Sequence, residues 1–188
     1  MLPVSTPQID PNASSSPPPV DWSARMKMYL KKLVSRDAFY ETVPEALFDH
    51  VRDFPHEWGH GGVAFADRLG SEYGQFFFNQ TIQLAASAIH KEDPRYQRLG
   101  HGNAFRRAAH AFKGAVVASN MNGGETIALG QIAGIYGSWA IATQWWEPRS
   151  EQAFSRVMLW GSVGMGVKVG ANVLHEFWPD TRSKLFKH

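Results

Sequence analysis

Apolar residues recur at helical spacing along most of this chain. From Asp21 onward, Trp22, Met26, Tyr29, Leu30 and Leu33 form one stripe, and Arg25, Lys27, Lys31, Lys32 and Arg36 take much of the rest. This is a basic amphipathic helix. Such a helix either covers a core or lies on an anionic membrane, here with Trp22 inserted and Lys27, Lys31 and Lys32 at the headgroups. Thr42-Val-Pro-Glu45 reads as a capping signal for a short helix ending near Phe54. Breaks come next at Phe54-Pro55 and at Gly59, Gly61 and Gly62. The next helix is predicted from about Val63 to about His90, and Lys91–Tyr96 ends it because Pro94 forbids continuation. Leu99 to Asn103 is a glycine-histidine loop, Ala104 to Ser119 reads as a further helix, and Asn120 to Gly124 is a turn cluster.

Ile127 to Trp146 contains no charged residue and no histidine. Twenty helical residues span about 30 Å, the depth of a bilayer core. Gln131, Ser138, Thr143, Gln144 and three glycines dilute that run, so it is a weak transmembrane candidate and equally a buried helix. From Ala153 to Leu174 two patterns overlap. Val163, Met165, Val167, Val169, Ala171 and Val173 alternate as in a strand, while Ser162, Gly166 and Gly170 repeat as on a helix. Helix is the preferred reading, since no other segment alternates comparably, and a β-rich C-terminal part is the alternative. Glu176-Phe-Trp-Pro-Asp180 reads as a stop before a basic tail.

Small residues stand at every fourth position in three stretches: Gly62, Ala66, Gly70, Gly74; Gly130, Gly134, Ser138, Ala142; and Ser162, Gly166, Gly170. Positions four apart share one helix face, and a row without bulk lets another backbone approach closely. Glycine within a helix costs about 1 kcal/mol relative to alanine, so tight packing is needed to offset the rows. The expected fold is mostly α, a compact bundle of about five to six helices with glycine- and alanine-lined contacts. Residues 21–180 form its single domain, between a disordered Pro/Ser-rich tail (1–20) and a basic tail (181–188). The N-terminal stretch has neither the basic start nor the apolar core of a secretory signal.

Composition narrows the function classes. The 188 residues carry a net charge of only +2, which argues against a nucleic-acid partner. Without cysteine there is no disulfide, thiolate catalysis or cysteine-ligated metal. Aromatics at 13%, with seven Trp, suit boundaries between apolar and wet surroundings.

One stretch carries the letters of a reaction. His56-Glu57-Trp58-Gly59-His60 matches H-E-x-x-H, which on a helix aims two imidazoles at zinc and places Glu57 to activate a bound water. Glu125 is the best downstream third ligand. Context opposes the match: Pro55 leaves no helix ahead of His56, and Gly59, Gly61 and Gly62 weaken any helical turn after it. Elsewhere, no nucleophile-elbow signature is present. Gly161–Gly166 lacks the spacing of a phosphate loop.

Several blocks point to a family. Pro55-x-Glu57-Trp58-Gly59-x-Gly61, Asp67-Arg68-Leu-Gly70, Glu92-Asp-Pro-Arg-Tyr96 and Asn172-Val-Leu-x-Glu176-Phe-Trp-Pro-Asp180 resemble those of an uncharacterised bacterial family. The resemblance runs from about Ala24 to the C-terminus, and its Glu-Phe-Trp-Pro-Asp ending is its most specific part. It implies an envelope protein with no established activity. The combined expectation is a non-enzymatic, envelope- or membrane-associated structural or accessory protein without a cofactor. Its partner would be a membrane surface, another envelope protein, or a second copy through glycine-lined helices. The alternative is a zinc metallopeptidase with Glu57 as catalytic base and His56, His60 and Glu125 as ligands.

Overall fold

The computed structural model describes residues 20–185. The expected tail over 1–19 and the last three residues of the basic tail lie outside the described residues. Six helices and one hairpin make a mostly α fold: α1 (Trp22–Leu33), α2 (Arg36–Val51), α3 (Gly62–Ile89), α4 (Ala104–Lys113), β1 (Val117–Ser119), β2 (Glu125–Ile127), α5 (Leu129–Trp145) and α6 (Phe154–Leu185). Helices α3 and α5 form the central pair. On it lie α2 and α1 from the α3 side and α6 from the α5 side, with α4 packed on α6.

The sequence explains the ends of these elements. The Asp21 carboxylate caps α1 by accepting from Ala24 N at 2.8 Å, and Asn103 does the same for α4 through Arg106 N. Helix α5 has no side-chain cap of its own. Glu92, thirty-seven residues earlier, accepts from Leu129 N at 2.8 Å and Gly130 N at 3.1 Å, placing a negative charge at the positive end of the helix.

Three expected boundaries are corrected. Helix α2 begins at Arg36 and runs through Pro44, instead of starting there. Proline withdraws the donor from the Tyr40 carbonyl, but Tyr40 is exposed, so solvent can serve it. Helix α4 ends at Lys113 because the chain must pass Tyr96 at Gly114, where a Cβ would lie 2.7 Å from the ring. The β-branched residues beyond it pair as a hairpin, Val117 opposite Ile127. Helix α6 settles the ambiguous stretch as helix and continues through Pro179 into residues expected to be tail. Val20, also placed in a tail, is buried, and its carbonyl accepts from Arg25.

The small-residue rows divide. Gly130, Gly134, Ser138 and Ala142 are all buried at the α3–α5 crossing. A Cβ on Gly130 would lie 2.9 Å from Ser87 N, and one on Gly134 2.9 Å from the Asn79 carbonyl. The first row is corrected: Gly62, Ala66 and Gly70 are exposed, and only Gly74 meets a neighbour, the Trp146 ring at 3.3 Å. The third row, Ser162, Gly166 and Gly170, is exposed too. On α6 the close approaches fall at Gly161 against Tyr136 and Gly164 against Ile135. In both corrected helices the buried face is rotated away from the row, because Arg68, Glu72 and Gln75 on α3 and Asn172 and Glu176 on α6 face inward.

Candidate functional site

The motif blocks lead to polar residues that hold the fold. Arg68 is 1% exposed and donates to the carbonyls of Phe54 (2.7 Å), Gly59 (2.9 Å) and Pro55 (3.0 Å), so the whole 54–59 loop is wrapped around one guanidinium. Arg25, expected among the charged residues outside the apolar stripe of α1, is buried instead and donates to Ser87 Oγ and the Glu92 carbonyl. Glu176 is 0% exposed. Its carboxylate accepts from Leu99 N, Gly100 N, Tyr96 Oη and Arg107 Nε, while Arg98 and Arg107 reach on to Asp180.

The H-E-x-x-H residues are not on an α-helix. His56–Trp58 is a single 3₁₀ turn, after which Gly59 (φ 67°) and Gly61 (φ 97°) reverse the chain in a conformation that favours glycine. Glu57 accepts from Ser150 Oγ at 2.5 Å, a bond that holds its carboxyl below the usual range. His60 faces Asp53 at 3.5 Å, and Glu125 is held by Lys113 at 2.6 Å on the hairpin. Among the described residues no three His, Asp or Glu side chains are grouped to hold a metal.

The structure does bring together acids that the motifs do not include. A cavity of about 560 Å³ opens between α2, α3, α5 and α6. One wall carries Glu45 and Asp49 from α2 and Glu72 from α3. Glu72 is 8% exposed and hydrogen-bonds to the carboxyls of Glu45 and Asp49. Burial, with the Glu45 charge second, pushes Glu72 well above the ordinary carboxyl range. Burial likewise raises Glu45 and Asp49. The opposite walls are apolar: Phe76, Ile135, Trp139, Trp160, Val163 and Val167. At the rim the Arg52 guanidinium pairs with Asp49 at 2.8 Å and sits 4.5–5.1 Å from the rings of Phe54, Phe48 and Trp160. Lys168 lines another part of the cavity, as does Lys32. Lys32 pairs with Glu41 at 3.4 Å, while Lys27 and Lys31 are exposed.

A weak trace of this cluster exists in the chain. Glu45 and Asp49 are like charges four apart on one helix face, an unfavourable spacing that a covering helix ordinarily avoids. Glu72 stands on the same face as Phe76, again four apart.

Behind this wall Glu147 is buried against Ser71, whose hydroxyl donates to it at 2.5 Å and accepts from Trp146 Nε1 at 2.8 Å. Burial pushes the Glu147 carboxyl up to about 7. Between the unperturbed carboxyl range and that value the folded chain holds a proton that the unfolded chain has released, so stability falls as pH rises through the window. A rise from 4.5 to about 7 corresponds to about 3 kcal/mol. Glu147→Gln is therefore expected to melt above the parent at pH 8, with the difference shrinking towards pH 5. Parallel melts that differ by the same amount at both pH values would show that this carboxyl does not titrate with folding.

Set against known protein families, curated proteins and solved structures, the chain has no match.

Proposed function

We propose that this is a non-enzymatic accessory protein that works at a membrane surface of the cell envelope, resting on lipid through the uncovered side of α6. The observation that carries this reading is the apolar length of that helix. Phe154–Arg182 is long and apolar enough to cross a membrane by length and composition. Met158, Leu159, Leu174 (67% exposed) and Trp178 (57% exposed) are left without full cover and lie outside the cavity lining. Burying side chains of this size is worth roughly 1.5–3 kcal/mol each, so leaving them in water is unfavourable. Lys168 and Glu176 on the same helix turn towards protein, to the cavity and to Arg107, which favours lying on the bilayer over crossing it. The basic helix α1 adds Trp22 and Leu30, both exposed, with Lys27 and Lys31. The envelope assignment is taken from the resemblance of the sequence blocks alone, since no family model matches the chain. The non-enzymatic reading is supported by the use of its motif residues, because Arg68, Glu92 and Glu176 are consumed by bonds to their own chain.

Vesicle flotation tests the proposal. The protein is expected to float with anionic vesicles and to come off in a carbonate wash. Replacing Leu174 and Trp178 by Asp should abolish flotation, and Lys27→Glu with Lys31→Glu should weaken only the salt-sensitive part, at about 1 kcal/mol per charge. A protein that stays at the bottom of the gradient with every lipid mixture would defeat the reading.

A further inference from the structure

We propose that the cavity between α2, α3, α5 and α6 binds an amphiphilic organic cation, with its ammonium on Glu45, Asp49 and Glu72 and its apolar body against Trp139, Trp160 and Phe76. The volume of about 560 Å³ lies within the range of small-molecule sites. Glu72, at 8% exposure, lines the cavity, yet no N–H donor or cation reaches its carboxyl among the described residues; its partners are two other carboxyls. Gln75, at 6% exposure, lines the same wall. Its amide nitrogen donates to Ser71 Oγ at 3.3 Å, while its amide oxygen accepts no hydrogen bond among the described residues. No buried side-chain nitrogen or oxygen among the described residues lacks a partner, so the free Gln75 amide oxygen opens to the cavity space, where a donor can reach it. An ammonium group brings three N–H donors and a charge.

The charge balance selects the sign of the ligand. At the acidic wall three carboxyls face one cation, Arg52, which is paired with Asp49. At the basic part of the cavity Lys32, paired with Glu41, and Lys168 stand together. The lining as a whole thus carries four carboxyls against three cations, and the excess of acid lies at the Glu45, Asp49 and Glu72 wall. The rim shows the second half of the recognition, since Arg52 is itself a cation held against three aromatic rings. The same three acids do not converge as a metal site.

Binding would be linked to proton release. Burial holds all three carboxyls above their ordinary range, so an ammonium placed among them favours the release of a proton. Glu72 is faced by Glu45 and Asp49 from α2 and by Glu147 after α5, with Arg52 and Arg68 acting on Asp49. Lys168 from α6 and Lys32 at the end of α1 complete the charges around the cavity.

The test uses the full chain without vesicles, so its failure is separate from that of the membrane reading. Three probes share one body and differ in the head: n-octylammonium, 1-octanol and octanoate. They are titrated by calorimetry and tryptophan fluorescence. Octylammonium is expected to bind saturably at 1:1, at least tenfold tighter than octanol. Its affinity should rise from pH 6 to pH 8, with the heat depending on the buffer as protons are released. Glu72→Gln should weaken it at least tenfold while leaving octanol unchanged. That variant keeps the side chain's shape and relieves carboxyl repulsion, so it should melt at or above the parent at pH 8; Glu45→Gln, measured beside it, serves if it does not. Equal binding of octylammonium and octanol, tighter binding of octanoate, no saturable binding, or full affinity in both variants would each overturn the proposal.

Discussion

Glu176→Ala is expected to lower the melting temperature by about 6–20 °C. The carboxylate has no exposure and accepts from Leu99 N at 3.0 Å, Gly100 N at 2.8 Å and Arg107 Nε at 3.0 Å. Removing one partner of a buried charge pair costs about 3–5 kcal/mol, and each kcal/mol shifts the midpoint by about 2–4 °C at this size. The loss is concentrated in one place. Without the Glu176 carboxylate the Leu99 and Gly100 amides lose their acceptor. Arg98 is left to hold the 96–100 loop to α6 through Asp180 and the residue-176 carbonyl, and the buried Arg107 keeps Asp180, that carbonyl and the Phe177 ring. Glu176→Gln should fall between parent and Ala variant, because its amide oxygen can still accept one backbone N–H. Hydrogen exchange adds a local readout: the Leu99 and Gly100 amides should lose protection before the α3–α5 core does. An Ala variant melting within 2 °C of the parent, with those amides still protected, would show that the carboxylate does not fasten the loop.

This buried network also explains what could be read from the chain and what could not. The helices were legible because apolar periodicity is a local property, and their faces largely derive from it. Pro44 and Pro179 misled for a shared reason. A proline costs a helix one donor, but whether the helix ends depends on what surrounds the abandoned carbonyl. Pro179 abandons the carbonyl of His175, an exposed residue whose carbonyl solvent can serve, and the helix continues. The motif blocks were visible as letters, yet their role was not. Nothing local says that Glu92 caps a helix thirty-seven residues away, or that Arg68 gathers the loop that carries the H-E-x-x-H letters. The cavity acids lay furthest from reach. Glu45, Asp49 and Glu72 come from two helices, and their spacing looks like ordinary surface charge until those helices are packed. Arg25 shows the converse: a cation read as solvated became a buried anchor, because a guanidinium can satisfy several carbonyls at once.

The glycine rows yield a prediction in which one substitution has opposite signs at two places. Gly70→Ala should raise stability by about 0.5–1 kcal/mol, since a Cβ there meets nothing within 4 Å and alanine loses less backbone entropy in a helix. Gly166→Ala should do the same on α6, where the space is also open. Gly130→Ala and Gly134→Ala should instead lower stability by about 1–3 kcal/mol. At Gly130 the added methyl would lie 2.7, 2.9 and 3.0 Å from Cβ, N and Cα of Ser87, and a backbone cannot rotate aside as a side chain can. At Gly134 the obstacle is the Asn79 carbonyl at 2.9 Å. Either α3 and α5 separate along their whole crossing, or the methyl is accommodated by bending one of them; both loosen the pair on which the other helices rest. Chemical denaturation of the four variants decides the matter, since the midpoint reports stability and an unchanged slope shows that the same surface unfolds. If all four variants gain stability, α3 and α5 do not approach as closely as described, and the cavity walls built on that crossing would have to be redrawn.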